Sequence, residues 1–245
     1  MKICIVSNSH PTNDVRLYYK LAMSLAKQNE VYLITTNGIV NNTHNPYQIV
    51  VDASSRRLAI WLLGKKVKEL KPEIIICVEP LTLLIAWILK KKLKFKVVFD
   101  VHEFFALSFS ERFPRLLRFP AYLFYQLFLK QLMKIADAVF TVNQEICNQL
   151  LGRNKRKLSL VLPNYPVKNV WDYECNIPGS LEQLCQMKFD FIYIGGLTED
   201  RGIFKILKVV SLLKHDFPFL KVLILGKFFK TETEKRFNQS INDYN

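Results

Sequence analysis

Glycine is scarce in this sequence, and its absence from one place is informative. Eight glycines and ten prolines in 245 residues exclude a collagen-like or low-complexity chain. The first strand-to-helix turn, Ser7 to Asp14 (SNSHPTND), contains no glycine. A dinucleotide-binding turn needs G-x-G-x-x-G so that backbone can approach pyrophosphate, so no bound cofactor is expected there. Cysteine is also sparse. Cys4, Cys77, Cys147, Cys175 and Cys185 form no C-x-x-C pair, and no histidine pair completes a zinc pattern. Cys4 and Cys77 lie in apolar runs, where a reduced cysteine acts as a small core residue. A reducing cytoplasm suits them. Long apolar runs are missing as well. The longest, Phe119 to Leu129 (FPAYLFYQLFL), falls well short of the roughly 20 residues of a membrane span. Residues 2–7 are too few for a secretory signal, and polar residues follow at once.

Acidic residues are outnumbered, with 21 Asp and Glu against 35 Lys and Arg and a net charge of +14. That surplus favours nucleic acid, an anionic membrane face or phosphorylated ligands, although a solvated basic surface produces it too. The basic runs Lys90–Lys92 and Arg153–Lys157 come without a helix-turn-helix, zinc-finger or RNA-binding signature, so nucleic acid is not the expected partner.

What is present is a repeating alternation. Apolar runs at KICIVS, VYLITT (31–36), YQIVV (47–51), EIIICV (73–78), KVVFDV (96–101), AVFTV (138–142) and KLSLVL (157–162) read as strands buried on both faces. Segments of helical period separate them: 15–27 after a cap at Asp14, 57–70 ended by Lys71-Pro72, 81–92, a long region 111–135 with a break at Pro120, and 144–151. Such alternation predicts a doubly wound, Rossmann-like parallel sheet covered by helices. This domain is expected to span residues 1–163. A linker with a short helix at Ser180–Met187 follows over 164–188. The pattern then restarts over 189–245, with strands at 189–196 and 220–226, a helix at 203–214 and a polar, partly helical tail.

Three clusters sit where α/β sheets bind ligands, at the carboxyl ends of strands. The first is His10, Asp14 and Arg16. A cation in the first turn of a helix is disfavoured by the dipole, so Arg16 either pairs with Asp14 or faces a ligand. The second is Asp100, His102 and Glu103 in FDVHEFF. The third is YIGGLTEDRGIFKIL, a strand, a glycine turn and a helix. Its amino end, with Gly202 permitting close approach and Arg201 adding a forked cation, suits a phosphate.

These residues carry a resemblance. H-P-x-x-D-x-R after the first strand, H-E after a later strand, and G-G-L-x-x-x-R-G resemble the family 4 glycosyltransferases of the two-domain GT-B fold. The resemblance implies an acceptor-side first domain and the start of a donor-binding second domain. It implies transfer of a sugar from a nucleoside diphosphate sugar to a glycan or lipid-linked acceptor, with anomeric retention and without a bound metal. His102 would contact the donor sugar, Arg201, Gly202 and Gly196 the diphosphate, and His10, Asp14, Arg16, Asp100 and Glu103 would shape the acceptor-side cleft. Gly196 stands where the family often has arginine. No E-x7-E-like motif follows Gly226, so the sequence reads as about the first two-thirds of such an enzyme. An inactive fragment or an accessory subunit that binds a membrane or a partner is the competing class. Residues 109–134, basic and aromatic at helical spacing, suit either peripheral contact with the anionic inner face of a membrane or simple coverage of the sheet.

Overall fold

The computed structural model describes residues 1–40, 44–152, 158–165 and 186–244. The basic run Arg153–Lys157, Cys175, Cys185 and, but for its ends, the expected linker with its helix at 180–187 lie outside them. The chain divides into two compact units, Met1–Trp171 and Asp172–Asn245.

The first unit is a seven-stranded sheet in the order β3-β2-β1-β4-β5-β6-β7, parallel throughout. Its strands are β1 (Lys2–Val6), β2 (Glu30–Thr35), β3 (Tyr47–Val50), β4 (Ile74–Cys77), β5 (Lys96–Val101), β6 (Ala138–Thr141) and β7 (Leu158–Val161). Helices α1 to α6 connect them. In α1, a π-wound segment Val15–Ala22 runs into Met23–Ala26; α2 is Arg56–Leu70, α3 Pro80–Lys90, α4 Phe105–Ser110, α5 Arg118–Leu132 and α6 Gln144–Leu151. This is the expected Rossmann-like, doubly wound sheet. Chain direction across the sheet reverses between β1 and β4, which opens a crevice at their carboxyl ends.

The strands are apolar because both faces are covered. Ile75, Cys77, Val97, Phe99 and Val139 join Leu63, Val67, Leu83 and Leu129 in one core cluster. Ile3, Ile5, Val31 and Leu33 pack with Leu17 of α1 in another. Each fully buried large side chain contributes about 1.5–3 kcal/mol. Ends are set locally. Ser55 Oγ accepts from Leu58 N at 3.3 Å to start α2, and Asn143 Oδ1 accepts from Ile146 N at 2.8 Å to start α6. The residue that closes α2, Lys71, adopts a left-handed φ of 48°.

Three local expectations need correction. The region 111–135 is not one helix. A separate α4 precedes it, and the chain breaks at Phe113-Pro114, because a residue before proline is kept out of the helical region. Pro120 is no break. It is the third residue of α5, where a helix has no use for the missing N–H. The helix at 15–26 is largely of π type, a rare winding that apolar periodicity does not distinguish.

The second unit holds two parallel strands, β8 (Phe191–Ile194) and β9 (Val222–Leu225), with α7 (Ile203–Asp216) and α8 (Thr231–Tyr244). Its small core is Leu197, Ile203, Leu207 and Phe237. The polar tail is helical over Thr231–Tyr244, as expected in part. Its Arg236 ion-pairs with Glu199 and lies 5.0 Å from the Phe204 ring centroid.

Candidate functional site

The β1/β4 reversal gathers polar side chains from three chain segments. The turn after β1 supplies Ser7, Asn8, Ser9 and His10. The end of β4 supplies Glu79, and β5 with its following residue supplies Asp100 and His102. The turn leads into α1 through Asp14, whose Oδ1 accepts from the backbone amides of Arg16 at 2.8 Å and Leu17 at 2.9 Å. That leaves its Oδ2 for His10 Nδ1, at 2.9 Å.

Two histidines meet here. His10 Nε2 lies 3.2 Å from His102 Nε2, with the rings edge to face. Neutral His10 donates from Nδ1 to Asp14, so its Nε2 accepts a proton bond from His102. Protonated His10 reverses that bond. In either state His102 Nδ1 is buried without a hydrogen-bond partner, a cost of about 1–3 kcal/mol to a fold. Phe105 packs edge-on to the His102 ring at 5.6 Å.

Glu79 was not singled out from the sequence. Its buried carboxylate accepts from Ser7 Oγ at 2.6 Å, Ser9 Oγ at 2.7 Å and Asn8 N at 3.0 Å, and it lies 3.8 Å from His10 Nε2. Ser7 Oγ in turn accepts from the amides of Ser9 at 3.3 Å and His10 at 3.0 Å. The signal available was an acidic residue closing an apolar strand ahead of a proline-led helix.

The two imidazoles are pushed apart. The Asp14 hydrogen bond holds the His10 pKa above its ordinary value, against burial and with help from the Glu79 and Glu103 charges. Burial, reinforced by nearby His10, depresses that of His102. Burial raises the Asp14 carboxyl, but its bonds to His10 and to the Leu17 and Arg16 amides outweigh this and leave it below the carboxylate range. Such a split is the pattern of a functional site.

Arg16 does not pair with Asp14. Its guanidinium forks onto fully buried Asp100, Nε to Oδ2 at 2.9 Å and Nη2 to Oδ1 at 2.6 Å, and Nη1 donates to Leu162 O at 3.1 Å. The structure therefore gathers His10, Asp14, Arg16, Asp100 and His102 at one sheet edge. Glu103 is exposed and makes no hydrogen bond to the network.

In the second unit, considered by itself, Arg201 lies exposed at the start of α7. Its guanidinium folds against the Gly195-Gly196 turn, with Nη1 3.5 Å and Nε 3.7 Å from where β-carbons on those glycines would stand. Gly202 takes the left-handed φ of 78° that opens α7. Among the described residues no group of three His, Cys, Asp or Glu is arranged to hold a metal ion.

Residues 15–164 match the sequence family described as Glycosyltransferase Family 4. This chain belongs to that family. No curated protein matches the family member's sequence. Among solved structures it is similar to sucrose-phosphate synthase from Thermosynechococcus elongatus (14% identity, TM-score 0.69, covering 99% of this chain and 67% of that one). It is also similar to HepE from Anabaena in complex with UDP-glucose (15%, 0.67, 100% and 66%). A third similar structure is UDP-N-acetylglucosamine 2-epimerase from Rickettsia bellii (14%, 0.58, 97% and 64%). The family 4 chain thus has a GT-B type of fold and spans about two-thirds of the length of these structures.

Proposed function

We propose that this protein transfers a sugar from a nucleoside diphosphate sugar to a hydroxyl of a glycan or lipid-linked acceptor. The observation that carries the reading is the paired His10–His102 edge of a family 4 sheet, with one imidazole raised and the other depressed. A partly buried His102 kept neutral accepts a hydrogen bond from, or donates one to, a donor-sugar hydroxyl without bringing charge into the site. Residues 1–163 form the acceptor-side domain, and His10, Asp14 and Glu79 shape its cleft. Residues 189–245 are part of a donor-binding domain. Its Arg201, with Gly202 leaving room for backbone approach and Gly196 in the turn against which the guanidinium folds, takes the diphosphate as negative charge develops on the leaving group. We further propose that configuration is retained and that no metal is required. The free, buried Cys4, Cys77 and Cys147 suit a cytoplasmic setting, with peripheral contact to the inner face of a membrane when the acceptor is a lipid. Among the described residues no helix is long and apolar enough to cross a membrane.

The test offers the whole chain a panel of UDP-, GDP- and ADP-sugars in EDTA, reading heat of binding and release of free nucleoside diphosphate. Binding of one donor, with release that His102→Ala lowers at least tenfold, is expected. Conversion of UDP-N-acetylglucosamine to its 2-epimer without diphosphate release would replace transfer by epimerisation. Failure to bind any donor would favour the accessory-subunit reading.

A further inference from the structure

The stretch from Arg112 to Lys134 holds Arg112, Arg115, Arg118, Lys130 and Lys134 and no acidic residue. In it, Leu116 is 92% exposed, Phe119 68%, Phe124 66% and Leu127 61%. Helix α5 is anchored near its carboxyl end by buried Leu129 and Leu132. It rests on α4, where Phe109 stacks on Tyr125 at 4.4 Å, and Arg118 Nε donates to Phe113 O of the connecting turn at 3.3 Å. The two helices form a hairpin whose tip, residues 114–120, is exposed throughout.

We propose that this tip docks on an anionic lipid bilayer, with Leu116, Phe119 and Phe124 entering the interface and Arg112, Arg115 and Arg118 meeting lipid phosphates. Apolar side chains between cations, without acids, are the composition of a helix that lies in an anionic interface. Each cation near such a surface raises affinity about fivefold. A second copy on the same face would set three arginines against three, and like charges across an interface oppose association. A nucleic acid would leave the leucines and phenylalanines in water. The docking surface deepens, and for its orientation rests on, the reading of the acceptor as lipid-linked. Helix α4 begins three residues after His102, and its Phe105 touches that ring. A docked tip therefore holds the His10–His102 edge close to the lipid.

The test is co-sedimentation of the whole chain with vesicles of phosphatidylcholine, alone or mixed with phosphatidylglycerol, at low and high salt. The protein is expected to pellet with the mixed vesicles, to be released by salt, and to stay in solution with phosphatidylcholine alone. Leu116→Ser/Phe119→Ser/Phe124→Ser and Arg112→Glu/Arg115→Glu should each bind at least tenfold more weakly, with unchanged circular dichroism and melting, since all five positions are exposed. His102→Ala should bind like the parent, which separates loss of docking from loss of the catalytic reading. Parent protein remaining in solution with mixed vesicles at low salt, or variants that bind as well as the parent, would overturn the proposal. A parent dimer that the serine variant dissociates would assign the face to a second copy and overturn it equally.

Discussion

Replacing Arg16 by methionine removes the partner of a carboxylate with no solvent exposure. Asp100 is 0% exposed, and both of its oxygens bond the guanidinium. Removing one partner of a buried pair costs about 3–5 kcal/mol, because the other charge is left without water or counter-charge. For a unit of this size each kcal/mol lowers Tm by about 2–4 °C, so a loss of roughly 6–20 °C is expected. Asp100→Asn alone should also destabilise, since its amide N–H₂ would face the guanidinium donors. The double variant Arg16→Met/Asp100→Asn leaves no ion uncompensated and should recover part of the loss, with a coupling of up to about 3 kcal/mol. Arg16→Lys should fall between, because an ammonium keeps the charge but cannot fork onto Asp100 while also reaching Leu162 O. Urea titration followed by far-ultraviolet circular dichroism reads these losses. Additivity of the two single losses within about 0.5 kcal/mol, or a loss below about 1 kcal/mol for Arg16→Met, would refute the argument.

Histidine titration by NMR should find His10 above and His102 below the ordinary imidazole range, and Glu79→Gln should lower His10 by removing a charge that raises it. The raised His10 contributes stability that is complete below its unfolded pKa near 6.5 and disappears as pH rises through the folded value. The depressed His102 acts oppositely, weakening the fold as pH falls from 6.5 through its own lower value. Asp14→Asn should therefore flatten the first effect and leave most of the second, whose main cause is burial; equal titration of both rings would sink the assignment. In the second unit, a β-carbon at Gly226 would stand 1.8 Å from Gly195 O, so Gly226→Ala must displace β9 from the turn. Faster hydrogen exchange across Val222–Leu225, with the first unit unchanged, is expected, and unaltered exchange would contradict that packing.

The alternation of the first sheet was legible because parallel strands covered on both faces must be apolar along their whole length, and residues such as Ile75, Val97 and Phe99 show it without help from neighbours. Helix α4 was not legible. Its six residues make barely two turns, and what fixes them is stacking of Phe109 on Tyr125, a contact made only once α5 is in place. The gathering of His10, Asp14, Arg16, Asp100 and His102 at one edge was readable from their position at strand ends. The partner of Arg16 was not, since it lies 84 residues away and local spacing offered the nearer Asp14. Glu79 escaped notice for a related reason: its role depends on β4 lying beside β1, and its own stretch of sequence looks like the start of a helix.

The turn after β1 keeps its amides busy. Asn8 N is taken by Glu79, and those of Ser9 and His10 by Ser7 Oγ. Where nucleotide-binding sheets leave a hollow of unspent N–H groups for a phosphate, this one carries a resident anion of its own. The Glu79 carboxylate opposes a diphosphate at this turn, and none of these three amides is free for one. This turn therefore lacks the amide cradle on which such a phosphate would rest.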